Sequence, residues 1–174
     1  MKKIFSLVLV LTLLVSSASF AQLAIDKGTK FINLGIGVGG GGGVGGVAFG
    51  GSLDFGVAPN ITVGAQVAYR SFDYGFTGFN GNVSYLYLAA RGSYHFNELL
   101  NLSTDKADLY AGIGLGYQNV SYSDSFGAGF NTFGSGIFVP LHLGGRYFFN
   151  EKLGGFVEVG DGIAPLLLGV TLKF

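Results

Sequence analysis

The chain ends on the ten residues Pro165-Leu-Leu-Leu-Gly-Val-Thr-Leu-Lys-Phe174. In a β-strand, successive side chains lie on opposite faces, so this stretch has one wholly apolar face. That face carries Leu166, Leu168, Val170, Leu172 and Phe174. The other face is small or polar apart from Leu167. An apolar strand that ends on an aromatic residue is typical of a membrane β-barrel, whose outer face meets lipid and whose aromatic residues lie at the interfaces.

The first 21 residues have the pattern of a secretory signal peptide. Lys2 and Lys3 precede an apolar stretch over 4–15, and Ser19-Phe20-Ala21 has the small-x-small form of a cleavage site. At about 1.5 Å per residue, that stretch is too short to cross a hydrocarbon layer of roughly 30 Å. We therefore expect cleavage after Ala21 and one domain over residues 22–174.

Composition excludes several classes of function. Loss of Lys2 and Lys3 leaves eight of the 10 basic residues against 10 acidic ones, and a net charge of −2 argues against nucleic acid as a partner. The absence of cysteine excludes disulfides, thiol catalysis and thiolate metal sites. No later stretch reaches the length of apolar sequence that a transmembrane helix needs.

The remaining chain repeats a segment of about ten alternating residues followed by a turn or loop, which is the pattern of an up-and-down barrel. We predict eight antiparallel strands. They cover about 30–40, 47–57, 61–72, 83–96, 108–121, a sixth strand ending at Phe149, a seventh through Val157 and Val159, and the closing strand. Pro140 lies within the sixth strand and has no N–H for the ladder, so we expect a bulge or a later strand start there.

The connections fall into two classes. Short turns are predicted at 58–60 and 150–152, and longer loops at 71–82 and 122–135. Barrels of this type have short turns in the periplasm and long loops outside the cell. Two aromatic girdles are expected: Phe55, Tyr94, Phe96, Tyr147, Phe149 and Phe174 at the periplasmic interface, and Phe49, Tyr69 and Tyr117 at the other.

Two motifs resemble a known family. Gly169-x-x-Leu172-x-Phe174 resembles the C-terminal assembly signal of bacterial outer-membrane barrels, with Leu168 where a polar residue is usual. The stretch 146–158, RYFFNEKLGGFVE, is similar to the hairpin between the sixth and seventh strands of small outer-membrane barrels of the OmpA/OmpX type. The resemblance covers the whole mature chain. It implies an all-β, eight-stranded antiparallel up-and-down transmembrane β-barrel in the bacterial outer membrane, inserted by the assembly machinery of that membrane.

The inward face of the predicted barrel is rich in polar side chains. They are Asp54, Gln66, Arg70, Arg91, His95, Gln118, His142, Arg146, Glu158 and Lys173. Buried charges are costly unless they are paired, and an eight-stranded barrel is only wide enough for side chains to fill. We therefore expect a filled lumen rather than a wide channel. Its polar network is predicted to consist of Asp54, Arg70, Arg91, His142, Arg146, Glu158 and Lys173, with Arg146 and Glu158 one cross-strand or diagonal step apart.

Other motifs give little support to catalysis. Gly35-x-Gly37-x-x-Gly40 matches the letters of a dinucleotide site, but a strand pattern follows it where such a site needs a helix. His95 and His142 do not lie near a long loop with a matching serine or acid, and two separated histidines do not supply a metal site. We predict no catalytic, cofactor-binding or metal-binding residue.

The expected role is structural or one of surface interaction, for a monomer that is not an enzyme. Its expected partners are the lipid bilayer, the assembly machinery and an extracellular partner at 71–82 and 122–135, where aromatic residues among Gly, Ser and Asn suit adaptable contacts. Three alternatives stay open: a narrow passive pore, an outer-membrane hydrolase, and a soluble secreted β-sandwich. The sandwich is disfavoured because eight apolar strand faces leave no solvated side.

Overall fold

The protein forms a closed antiparallel β-barrel in a computed structural model that describes residues 22–39, 47–76, 79–124, 134–162 and 164–174. The strands are β1 (Lys30–Val38), β2 (Val47–Ala58), β3 (Ile61–Phe76), β4 (Phe79–His95), β5 (Ala107–Asp124), β6 (Gly136–Phe138), β7 (Leu141–Phe148), β8 (Leu153–Gly160) and β9 (Leu166–Lys173). β6 and β7 both pair with β5 and share one place in the wall, which therefore has eight strands, as predicted. The expected signal peptide lies outside the described residues.

The closing strand seals the barrel. Leu34 of β1 lies opposite Gly51 of β2 on one side and Val170 of β9 on the other, and β9 also pairs with β8. Both pairings are those that closure of an up-and-down barrel requires. Following the register once around the wall from Arg146 leads to Gly136, ten residues earlier. For eight strands at the usual spacings, a stagger of this size corresponds to a strand tilt of about 40°.

Pro140 interrupts the sixth position of the wall without shifting it. Phe138 lies opposite Gly116 and Leu141 lies opposite Ile113, so β6 and β7 keep the same register with β5. Pro140 has no N–H to donate, but its carbonyl accepts a hydrogen bond from the Gly114 N–H at 2.8 Å. Of the two alternatives predicted at this proline, the bulge is absent, and the strand starts again after it, at Leu141.

The alternation predicted for the strands is confirmed. Large apolar side chains point away from the barrel on every side; Leu34 is 58% exposed, Leu88 61%, Ile113 55% and Leu143 55%. A continuous exposed apolar surface of this kind is unfavourable in water and suits contact with lipid. The soluble sandwich is therefore the wrong alternative. Among the described residues, no helix has the length and apolarity needed to cross a membrane.

Exposed aromatic residues mark two levels of the outer face. We call the end with the turns at 59–60 and 149–152 the lower end, and the opposite end the upper end. The lower-end aromatics are Phe55, Tyr94, Tyr147, Phe149 and Phe174, and the upper-end ones are Phe49, Tyr69 and Tyr117. Phe96 is half-buried and packs edge-on against Tyr94, with ring centroids 5.1 Å apart. Both girdles lie where the sequence predicts them.

The predicted loop at 71–82 is wrong. β3 and β4 continue as a paired hairpin to Phe76 and Phe79, and β5 continues to Asp124. These three strands have 16, 17 and 18 residues, whereas β7, β8 and β9 have 8 each. The glycine, serine and asparagine residues at the upper ends of these strands are typical of loops, but cross-strand pairing keeps the chain extended there. We call residues 71–76, 79–84 and 119–124 the tall wall. Of the second predicted loop, residues 125–133 lie outside the described residues.

Candidate functional site

The interior of the barrel is organised around five buried charges, which we call the ion cluster. Asp54, Arg91, Asp108, Arg146 and Glu158 come from β2, β4, β5, β7 and β8, and none is more than 7% exposed. Each residue has the inward parity of its strand. The strand alternation therefore delivers all five side chains to one place, although they are far apart in the sequence.

Arg146 is held on three sides. Its Nη1 donates to Asp108 Oδ2 at 2.6 Å, its Nη2 to Asp54 Oδ2 at 3.0 Å and its Nε to Asn33 Oδ1 at 3.2 Å. Charged hydrogen bonds in a fork of this kind are strong and directional. The guanidinium is thus compensated by carboxylates from two different strands.

Arg91 continues the chain of charges. Its Nη2 donates to Glu158 Oε2 at 2.8 Å and its Nη1 to Glu158 Oε1 at 3.2 Å. Its Nε lies 3.3 Å from Asp54 Oδ1, an ionic contact that lacks hydrogen-bond alignment. Carboxylates and guanidiniums therefore alternate along the cluster, and Asp54 lies between the two arginines. Alternation offsets the cost of burying each charge.

Tyr110 is the aromatic centre of the cluster. Its hydroxyl donates to Glu158 Oε2 at 3.0 Å, and its ring centroid lies 4.0 Å from the Arg146 guanidinium carbon. The same guanidinium also contacts the ring of Phe31, at 4.4 Å. Contacts of cations with ring faces are favourable, the more so away from water. The ring fits because residue 144 is glycine: a Cβ there would overlap the phenol.

The histidines have partners that the sequence did not reveal. His95 Nδ1 lies 2.7 Å from Asp108 Oδ1 and its Nε2 lies 3.1 Å from Thr62 Oγ1. His142 Nε2 lies 2.8 Å from Ser93 Oγ. These partners come from other strands and not from a long loop, so the expectation that neither histidine lies near a long loop with a matching serine or acid is not contradicted. All five side chains are buried, which favours a role in interior hydrogen bonding.

Arg146 and Glu158 are diagonal neighbours but do not pair. Arg146 lies opposite Phe156 and Glu158 lies opposite Gly144, so the predicted diagonal step is present. The tilt of the strands carries each long side chain over a different neighbour, so that Arg146 reaches Asp54 and Asp108 while Glu158 reaches Arg91.

Three residues of the predicted polar network are not members of the ion cluster: His142, which lies near Ser93, and Arg70 and Lys173, which lie towards the two ends. Arg70 is buried towards the upper end, with its guanidinium 5.2 Å from the ring of Phe72. Lys173 lies at the lower end, with Nζ 5.4 Å from the ring of Phe148. Sequence reasoning left out Asp108, which is fully buried. Asp108 has the same parity in β5 as the inward Tyr110, and this parity identifies it as an inward residue.

Aromatic side chains fill the upper part of the interior. Tyr85 stacks on Tyr87 with centroids 5.9 Å apart, and Tyr87 meets Phe138 edge-on at 5.6 Å. Ala48, Ala68, Val83 and Ala164 are buried with them. Between this cluster and the ion cluster, the cavity beside His142 and Glu158 has a volume of about 20 Å³, which is room for about one water molecule.

The segment 22–29 covers the lower end. Leu23 and Ile25 are 5% and 2% exposed and pack with Phe31 and Phe148. The Asn60 N–H donates to the Ile25 carbonyl at 2.9 Å. The Asn97 side-chain amide donates to the Leu23 carbonyl at 3.2 Å. This cover was not predicted, although Leu23 and Ile25 alternate with exposed residues as an extended segment does.

The described residues contain no group of three or more His, Asp or Glu side chains arranged to hold a metal ion. The interior is thus a set of paired charges and packed rings in the part of the chain that the structure describes.

No protein-family model and no curated protein matches the chain. Solved structures do match. A de novo designed transmembrane β-barrel has 14% identity, with 86% of this chain and 98% of that chain covered and a TM-score of 0.52. Ail of Yersinia pestis, in a crystal structure with a heparin analogue, has 14% identity, coverage of 84% and 95%, and a TM-score of 0.51. Ail in a phospholipid nanodisc has 16% identity, coverage of 85% and 100%, and a TM-score of 0.50. At these identities the likeness concerns the fold: the chain has the same eight-stranded barrel fold as these small membrane barrels.

Proposed function

We propose that the protein is an integral outer-membrane barrel with a filled, non-conducting lumen and a structural or surface-interaction role, without catalytic activity. The observation that supports this most directly is the ion cluster, which joins five strands across the interior between an aromatic cluster above and the segment 22–29 below. A channel needs a continuous wet path, whereas the cavity beside His142 has space for about one water molecule.

Conductance in a planar bilayer tests the proposal. The mature chain, residues 22–174, is expected to give no current steps beyond those of a protein-free bilayer. A variant with Tyr110→Ala, Arg146→Ala and Glu158→Ala serves as the positive control, because it removes the middle of the interior packing. Discrete steps from the wild-type chain would contradict a filled lumen and favour the narrow passive pore.

Export and assembly are part of the same proposal. The signal pattern over residues 1–21 supports cleavage after Ala21 and delivery to the outer membrane. Gly169, Leu172 and Phe174 form the proposed assembly signal, and the ring of Phe174 is 60% exposed in the folded barrel. N-terminal sequencing of material from the outer-membrane fraction should begin at Gln22. A start at Met1, or recovery in a soluble fraction, would contradict this part.

The tall wall is the proposed surface for an external partner of this monomer, at the regions 71–82 and 122–135 named above. The Ail crystal structure holds sucrose octasulfate, a polyanion. The tall wall has no lysine or arginine among its residues, and Asp73 is exposed on it. A polyanion would be repelled there, so the proposed partner is uncharged or basic. Retention of the folded barrel on a heparin column at low salt would contradict this choice.

A further inference from the structure

The outer face of β1 to β4 contains an apolar groove of about 690 Å³. Its floor lies at Gly51 and Ala65, where small residues take positions that carry large apolar side chains elsewhere on this face. Leu34, Val67 and Leu88 stand beside the floor. The groove lies within the lipid-facing band, so a lipid chain is in contact with it whenever the barrel stands in a bilayer.

A polar grid continues directly from the upper end of this groove. Ser71 lies opposite Ser84 and Asp73 opposite Asn82 on the outward face of β3 and β4. The Ser71 hydroxyl donates to Asn82 Oδ1 at 3.1 Å, and the Asn82 amide donates to Asp73 Oδ1 at 2.9 Å. Tyr69 belongs to both regions, because its side chain lines the groove and its hydroxyl donates to Ser84 Oγ at 3.1 Å.

We propose that this face binds one glycolipid, with an acyl chain in the groove and an uncharged sugar headgroup on the polar grid. Hydroxyl, amide and carboxylate groups at successive positions suit the donors and acceptors of a sugar. An anionic headgroup does not suit the grid, because Asp73 is exposed there and the other described residues of the grid, Ser71, Asn82 and Ser84, carry no positive charge. The inference rests on the surface role proposed for the tall wall, because the grid lies on it, and names the partner's chemistry there.

Native mass spectrometry of the mature chain, released from mixed micelles, tests the site. The probes are a glucosyl diacylglycerol and a phosphatidylglycerol with the same acyl chains, at equal mole fraction in a zwitterionic detergent. We expect one glucosyl lipid per barrel, retained at least fivefold more often than the phosphatidylglycerol.

Two sets of variants separate the groove from the grid. Ala65→Leu fills the floor of the groove and is expected to reduce retention of both lipids at least fivefold. Ala111→Leu makes the same change on the outward face of β5, away from the groove, and is expected to leave retention unchanged. Asn82→Ala with Ser84→Ala is expected to remove the preference for the sugar while the acyl contact persists.

Each outcome is decisive when heat-modifiable gel mobility shows that the variant is folded. Equal retention by wild type, Ala65→Leu and Ala111→Leu would overturn the groove. A preference for phosphatidylglycerol, or for neither lipid, would overturn the headgroup assignment. A second copy of the chain in place of a lipid would overturn the proposal as a whole. None of these results bears on whether the lumen conducts, so the proposed function is tested separately.

Discussion

The guanidinium of Arg91 and the carboxylate of Glu158 meet in two parallel hydrogen bonds, at 3.2 and 2.8 Å, although their strands are not neighbours in the wall. The pair fixes the distance between β4 and β8 across the interior. Both side chains are buried, so each charge depends on its protein partners, with room for about one water molecule in the cavity beside Glu158.

Glu158→Gln is expected to lower the free energy of unfolding by about 3 kcal/mol, because Arg91 would lose its closest charged partner. Arg91 would keep the poorly aligned contact with Asp54 and a long hydrogen bond to Gln66 at 3.4 Å. Urea unfolding in detergent, followed by heat-modifiable mobility, measures the loss. Glu151→Gln, in the exposed lower turn, is the matched control and should change stability by less than about 0.5 kcal/mol. Glu158→Gln combined with Arg91→Met should cost less than the sum of the single changes. A simple sum would show that the two residues are not coupled.

The cover formed by the segment 22–29 can be tested with single cysteines, because the chain has none. Ile25 is 2% exposed, whereas Ala24 beside it is on the exposed face. Ile25→Cys is therefore expected to react with a water-soluble maleimide at least tenfold more slowly than Ala24→Cys. Mass spectrometry of the folded protein gives both rates. The rates in urea serve as the control for the intrinsic reactivity of the two cysteines. If the two rates are equal in urea and also equal in the native barrel, the segment does not cover the lower end.

Val170→Arg is expected to block insertion, because Val170 is 50% exposed in the lipid-facing band. A basic residue at mid-membrane on this face costs about 2–4 kcal/mol. Ser121→Arg places the same side chain on the outward face of β5, on the tall wall and above the band. It should insert like wild type. The fraction of heat-modifiable protein after refolding into vesicles measures both variants, and the opposite ranking would show that the band is misplaced.

Phe174→Ala is expected to reduce the amount of barrel assembled in cells severalfold, while the free energy of unfolding of refolded protein in urea changes by less than about 0.5 kcal/mol. The reason is that the backbone of Phe174 keeps its two hydrogen bonds to Lys30, at 2.9 and 3.0 Å, whereas the exposed ring is lost. Phe149→Ala removes another exposed aromatic residue of the same girdle, 64% exposed, and should leave assembly near wild type. If both variants assemble equally poorly, the ring acts as an interface anchor and not as a signal.

The wall of this barrel is predictable from sequence because apolar residues alternate with small or polar residues along each strand. Leu34, Leu88 and Val170 face lipid as their parity requires. The interior is predictable only in part. Parity shows that Arg146 and Glu158 point inward, but which carboxylate each arginine reaches depends on strand tilt and on contacts between strands that are far apart in the sequence.

Composition alone gives the wrong prediction where strand pairing decides the structure. The stretch 71–82 contains the small and polar residues of a loop, yet Ser71 and Asp73 continue the outward parity of β3 and pair with Ser84 and Asn82. Polar outward residues there show that the strand has left the lipid, not that it has ended. The segment 22–29 is not predictable from strand periodicity, because it covers the lower end through Leu23 and Ile25 without forming a strand.

The overlap that a side chain at residue 144 would make with the ring of Tyr110 has an evolutionary consequence. Strand number and register fix the girth of the barrel, so the volume available inside it is constant. A larger side chain at one inward position therefore requires a smaller side chain at the position that faces it. Positions 110 and 144 are therefore expected to covary among chains with this register. Where one of the two positions has a large residue, the other is expected to have a small one.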